Sequence, residues 1–275
     1  MKLSDFNDKH LGETIYIIGC ADNINNLSAS DKEYLKDKTT IGVNLAYEGI
    51  DTLTYSISAH ISPAVYLFEH ARKDMPIFVA YGEGQKRDAF SYMKDFFWDD
   101  NRIVVFSSEP PKIPFLKKKE SEDISLRGNT SILLLATHLA YIMGASKLVY
   151  IGFEELNTAH FWNSDEELEI KIKKNIKNIL DSKKYWCERY YYNNDIWSAL
   201  HNVHKEFELT LENIFNLSEE ERKRRFCDPS GAKQNIYNFV NYVSYLNQQG
   251  IETYTLSHEG VTNSSGCKVL SSVII

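Results

Sequence analysis

The chain has 275 residues, 43% hydrophobic and 25% charged, which is enough for one large globular domain or one domain carrying an insertion. With 31 basic and 38 acidic residues the net charge is −7, which argues against a protein built mainly to coat nucleic acid and leaves only a local basic groove for that role. Cys20, Cys187, Cys227 and Cys267 are far apart with no CxxC, which indicates neither a zinc ribbon nor a redox pair. The N-terminus lacks the apolar core of a signal peptide and no later apolar run is long enough to span a bilayer, so the expectation is a cytoplasmic protein with no membrane span.

Residues 14–19, Thr-Ile-Tyr-Ile-Ile-Gly, form a short continuous apolar run ending in glycine, the pattern of a buried parallel strand that stops at a turn. Residues 39–44 repeat the pattern and end in Asn44. Further strands are expected at 55–58, 76–80 and 102–106, with an amphipathic segment at 64–73 between them. Strands alternating with helices predict an α/β fold, a Rossmann-like, doubly wound, mostly parallel sheet with helices on both faces.

The polar segment Arg127-Gly128-Asn129-Thr130-Ser131 opens a helix expected over about 130–143, with a stop at Gly144 and a strand at 147–152. Ile132, Leu133, Leu134, Leu135, Ala136, Leu139, Ala140 and Met143 make this helix apolar nearly all round, so it should be deeply buried, with its start near the centre of the sheet's carboxyl edge. From 157 the character changes to charged helices and aromatic clusters such as Tyr190-Tyr191-Tyr192. Residues 157–226 therefore read as an inserted helical, aromatic-rich lid within a core formed by 1–156 and 227–275. The chain returns with a helix at 232–249, a stop at Gly250 and a strand at 251–256.

Polar groups follow several of these strands: Gly19, Cys20, Ala21, Asp22 and Asn23; Asn44; Ser58 with Ala59 and His60; and Gly152 with Glu154, leading to His160. With Arg127, Asn129, Thr130 and Ser131 they should face one edge, where open α/β sheets bind ligands. Each alone is more often a plain turn, and their convergence is what points to a site. Free N–H groups at the helix start suit an anion, although any capped helix begins in the same way. P-loop, GxGxxG and GxSxG motifs are all missing, which disfavours the common NTPase, dinucleotide oxidoreductase and α/β-hydrolase classes. His201 and His204 have a spacing that can ligate metal, but exposed helical histidines are the commoner case. The basic run Arg222 to Arg225 is balanced by Glu219 to Glu221 and reads as a solvated helix end. The aromatic insertion reads as lid core or a homo-oligomer contact, with stacking on a base or sugar as the sharper alternative.

The strand ending in a Gly turn, the strand ending in Val43-Asn44, the R-G-N-T-S segment before the apolar helix and the V-Y-I-G-F-E segment after it together resemble one Rossmann-type superfamily. Its members include bacterial sialyltransferases of glycosyltransferase family 42, MptE-like pterin pyrophosphokinases and related phage proteins. The resemblance implies a nucleotide at Gly19, Asn44, Arg127, Thr130 and Ser131. It departs from the family at the first turn, where Cys20-Ala21-Asp22-Asn23 replaces Asn-Gly-Pro-Ser, and at the catalytic histidine, which has no counterpart between Cys227 and Lys233.

The function expected first is an inverting, nucleotide-sugar-dependent glycosyltransferase acting on a glycan or other hydroxyl acceptor, with no cofactor. His160 and Glu154 are the candidates for acid or base, with His201, His204 and Asp228 as alternatives. A pyrophosphokinase of the pterin type is the second reading and would need Mg²⁺ on acids such as Asp22 and Glu154. A non-catalytic nucleotide- or nucleic-acid-binding accessory protein is the third.

Overall fold

The computed structural model describes residues 1–59, 61–82, 101–115, 125–128, 131–153, 161–181, 229–257 and 261–274. His60, Asn129, Thr130, Glu154, His160, His201, His204, Asp228 and most of the 157–226 segment lie outside them.

The described strands form one all-parallel sheet of nine strands: β1 (Thr14–Ile18), β2 (Thr39–Val43), β3 (Tyr55–Ser58), β4 (Ile77–Gly82), β5 (Ile103–Glu109), β6 (Leu126–Arg127), β7 (Lys147–Ile151), β8 (Glu252–Thr255) and β9 (Lys268–Val269). Their spatial order is β6-β5-β4-β3-β2-β1-β7-β8-β9. The chain thus builds outward from β1 to one edge, returns, and continues from β7 to the other edge. The point of reversal lies between β1 and β7.

Alternation along the strands explains why the sheet is covered on both sides. In β1, Ile15 and Ile17 enter one core while Tyr16 and Ile18 enter the other, and all four are at most 1% exposed. The first core is closed by α3 (Ile132–Ile142) and α5 (Pro229–Gln248), through Leu133, Leu135 and Leu139 of α3 and Phe239, Tyr242 and Leu246 of α5. The second is closed by α1 (Ala29–Leu35), α2 (Ile61–His70) and α4 (Glu166–Asp181), through Leu35, Tyr66, Leu67 and Ile172. Helices α1 and α2, which lead outward from β1, share one face, while α3 and α5, which lead into β7 and β8, share the other, as right-handed crossovers require. Helix α4, inside the long connection from β7 to β8, returns to the face of α1 and α2. A short helix, α6 (Val261–Ser264), precedes β9. Among the described residues, no helix is long and apolar enough to cross a membrane.

Two expectations change here. The sequence places the start of α3 near the centre of the carboxyl edge, whereas α3 begins just after β6, the outermost strand, and packs back over β3, β2 and β1. Two-residue β6 is too short to leave a sequence signature, and its pairing with Ser108 and Glu109 of β5 carries the chain to the far edge before the helix begins. The described opening of the expected lid also belongs to the second core. Phe161 and Trp162 are 2% and 4% exposed and Ile172 is fully buried.

Candidate functional site

Strand register determines which turns meet. Ile18 of β1 is paired with Ile151 of β7, so the next residues, Gly19 and Gly152, face each other at the reversal point. The Gly19 N–H donates to the Ile151 carbonyl at 2.7 Å and the Ala21 N–H to the Gly152 carbonyl at 3.0 Å. A Cβ on Gly19 would lie 2.0 Å from the Gly152 oxygen, closer than any side chain can stand. Gly152 itself has φ +77°, with Ile24 packed against it. The two glycines therefore let two loop backbones touch where the sheet opens.

On the other side of β1, Val43 of β2 is paired with Ile57 of β3, so Asn44 and Ser58 follow side by side. The Ser58 hydroxyl donates to Asn44 Oδ1 at 3.1 Å. Asn44 has φ +49°, in the left-handed region where asparagine is one of the few tolerated side chains, and it opens a 3-10 turn, Asn44–Glu48. Cys20 joins the two halves because its thiol donates to the Val43 carbonyl at 3.2 Å. Burial pushes that thiol up to about 12, against the opposing pull of the Leu45 and Ala46 N–H groups. Cys20 is therefore a protonated hydrogen-bond donor at neutral pH rather than a nucleophile.

The row continues past β7. Thr255 of β8 is paired with Tyr150 of β7, which sets Ser257 level with Gly152. Asn23 Nδ2 donates to the Ser257 hydroxyl at 2.9 Å, while Asn23 Oδ1 is buried without a partner among the described residues. The Ser257 N–H donates to Thr255 Oγ1 at 3.0 Å, and the Thr255 and Thr262 hydroxyls are 2.8 Å apart. Asp22 accepts from Asn25 Nδ2 at 2.8 Å, and the same amide donates to the Phe161 carbonyl. The Phe161 N–H donates to the Cys20 carbonyl at 3.1 Å, so the residue after His160 is tied to the first turn.

The structure thus brings together Gly19, Cys20, Ala21, Asp22, Asn44, Ser58 and Gly152 at the carboxyl ends of β7, β1, β2 and β3. It does not bring Arg127 to them. Arg127 stands on β6, three strands beyond β3, roughly 14 Å by the usual strand spacing. Its guanidinium is engaged by Glu109 at 3.5 Å and by the Pro114 carbonyl, its N–H donates to His138 Nδ1 at 2.7 Å, and its carbonyl accepts from the Tyr242 hydroxyl at 2.9 Å. Ser131 is the N-cap of α3 on that same side, and its side chain makes no capping bond. Asn23 belongs to the polar turn expected after the first strand, and its partner Ser257 is the residue that the sequence-level reading does not single out. The signal of Ser257 is the same strand-then-polar-turn pattern, but its pairing with Asn23 across 234 positions follows only from the sheet order.

Among the described residues, no group of three or more His, Cys, Asp or Glu side chains could hold a metal ion. The described residues thus form an α/β protein with a row of polar turns at the carboxyl edge of a parallel sheet. Compared with known proteins, the chain matches no family model and shows no significant similarity to any curated protein.

Proposed function

We propose that this protein has a Rossmann-like nucleotide site at the ends of β7, β1, β2 and β3, and that it transfers a glycosyl group from a nucleotide sugar to a hydroxyl acceptor. One observation carries the reading: Asn44 is held in a left-handed conformation with its Oδ1 fixed by Ser58, in the same row as the Gly19–Gly152 contact. A conformation of this kind is sustained by its surroundings and is concentrated at ligand sites. The amide presents a donor beside its fixed acceptor, which suits a base edge or a ribose hydroxyl. The Gly19–Gly152 contact keeps the approach to this turn free of side chains, which leaves room for a phosphate against the backbone.

In the transfer, the acceptor oxygen forms a bond to the anomeric carbon from the face opposite the phosphate. The bond from that carbon to the phosphate oxygen breaks, and the nucleotide departs with the electron pair. The acceptor proton passes to a base, for which His160 and Glu154 are the candidates. Arg127 has no part in this version, because its guanidinium is committed at the far edge.

Thermal-shift and calorimetric titrations with nucleotides and nucleotide sugars, each with and without Mg²⁺, test the proposal. A nucleotide sugar at about a hundred times its Kd should raise Tm by roughly 5 °C without metal. His160→Gln should then lower turnover on the order of a hundredfold with little change in affinity. Stabilisation by ATP that requires Mg²⁺ would replace this reading with pyrophosphate transfer. Stabilisation by free nucleotide with no turnover of any nucleotide sugar would replace it with a binding protein.

A further inference from the structure

A second cleft lies on the face of the sheet carrying α2 and α4, and the sheet-edge row takes no part in it. Its volume is about 620 Å³, and among the described residues it is lined by Tyr47, Glu48, Gly49, Asp51, His70 and Lys171. Three separate pieces of chain build it: the end of the 3-10 turn that starts at Asn44, the last residue of α2, and the first turns of α4. Glu48 is its fixed point, with a side chain only 5% exposed. Tyr66 donates its hydroxyl to Glu48 Oε1 at 2.8 Å, and Lys171 donates to Oε2 at 2.6 Å. The His70 ring rests 4.6 Å from the Tyr66 ring, and the Phe161 ring backs Gly49.

We propose that this cleft binds a saccharide. Its chemistry mixes donors and acceptors at close quarters rather than concentrating either charge. Lys171 neutralises Glu48, and the exposed Asp51 is the other carboxylate of the lining, so no excess of positive charge faces the cleft. That disfavours an anion. A carboxylate has about four acceptor positions, so Glu48 retains capacity beyond its two partners, and the ammonium group retains donors. Burial holds the His70 imidazole below its ordinary value, so near pH 7 it is neutral and offers one donor and one acceptor. Sugar hydroxyls, which donate and accept at once, match such a lining, to which Tyr47 also contributes. The volume lies within the range of small-molecule sites and exceeds what a single ion needs.

The test uses the labelled full chain on an array of immobilised mono-, di- and trisaccharides, with thermal-shift titrations of spermidine and inorganic phosphate in parallel. Asp51→Asn and Lys171→Gln both alter solvent-exposed positions, and in the second the introduced amide can still donate to Glu48. Capture of at least one glycan, reduced tenfold or more in both variants, with nucleotide binding unchanged in both and Tm unchanged in Asp51→Asn, is the expected result. Capture of no glycan, or capture that both variants retain, overturns the proposal. Stabilisation by spermidine or phosphate that the same variants abolish, with no glycan captured, also overturns it and assigns the cleft to an ion. Because nucleotide binding is read separately, this proposal and the sheet-edge reading fail independently.

Discussion

Asn44 and Gly19 occupy neighbouring turns, yet each constrains the chain for a different reason. At Asn44 the backbone needs φ +49° and the side chain meets Ser58. Glycine satisfies the first demand and abolishes the second. Asn44→Gly should therefore hold folding stability to within about 1 kcal/mol while weakening nucleotide binding roughly tenfold. Urea denaturation alongside calorimetry separates the two effects, and unchanged affinity would remove Asn44 from the site. At Gly19 the constraint is space, since any Cβ collides with the Gly152 carbonyl. Gly19→Ala should cost about 3 kcal/mol or more, because backbone on both sides must move and no flexible side chain can yield. A urea midpoint close to wild type would mean that the two turns are not in contact.

Helix α3 shows how an element can be legible in sequence while its position is not. Its apolar composition correctly predicts burial: Leu133 through Ala140 are all buried. Its location depends on β6, two residues long, whose pairing with β5 leaves no periodic signal. The same applies to β9. Strands β1 and β7 are legible as apolar runs ending at a glycine, and β2 and β3 as short runs rich in β-branched or alternating apolar residues that end at Asn44 and Ser58; register alone then aligns Gly19, Asn44, Ser58 and Gly152. The bonds from Asn23 to Ser257 and from Lys171 to Glu48 join segments whose adjacency follows from sheet order and helix packing, which sequence spacing does not encode. The polar opening of α3 accordingly has a structural explanation. Arg127→Ala, which removes the Glu109 pair and the Pro114 bond, should lower stability by on the order of 2 kcal/mol and leave nucleotide affinity within about twofold. Ser131→Ala should cost only a few tenths of a kcal/mol, because the serine makes no capping bond to lose. A large loss of affinity in either variant would return the site to the start of α3.

For the whole molecule, two closed cores explain why acid should destabilise the fold. His138 is fully buried between α3 and its neighbours, stacked on Phe115 at 4.5 Å, with Nδ1 accepting from the Arg127 N–H and Nε2 without a partner among the described residues. Burial, reinforced by the Arg127 charge, lowers its pKa from 6.5 to about 3. The unfolded chain therefore takes up this proton below about 6.5, while the folded core refuses it until about 3. The resulting stability is intact above 6.5 and is lost as pH falls through that window, by up to about 5 kcal/mol. His138→Asn can keep an acceptor for the Arg127 N–H but does not titrate. Urea midpoints from about pH 8 to about pH 4 should fall less steeply for this variant than for wild type, and parallel curves would show that His138 does not govern the acid limb. The central claim is that the carboxyl ends of β7, β1, β2 and β3 form one nucleotide site. It is tested most directly by following backbone amide resonances of the isotopically labelled full chain during titration with a panel of nucleotide sugars. The account predicts saturable shifts at Gly19 to Asn23, Asn44, Ser58 and Gly152, with Arg127 and Lys171 unmoved. Shifts confined to Glu109, Arg127 and Ser131, or no saturable shift with any member of the panel, would contradict it.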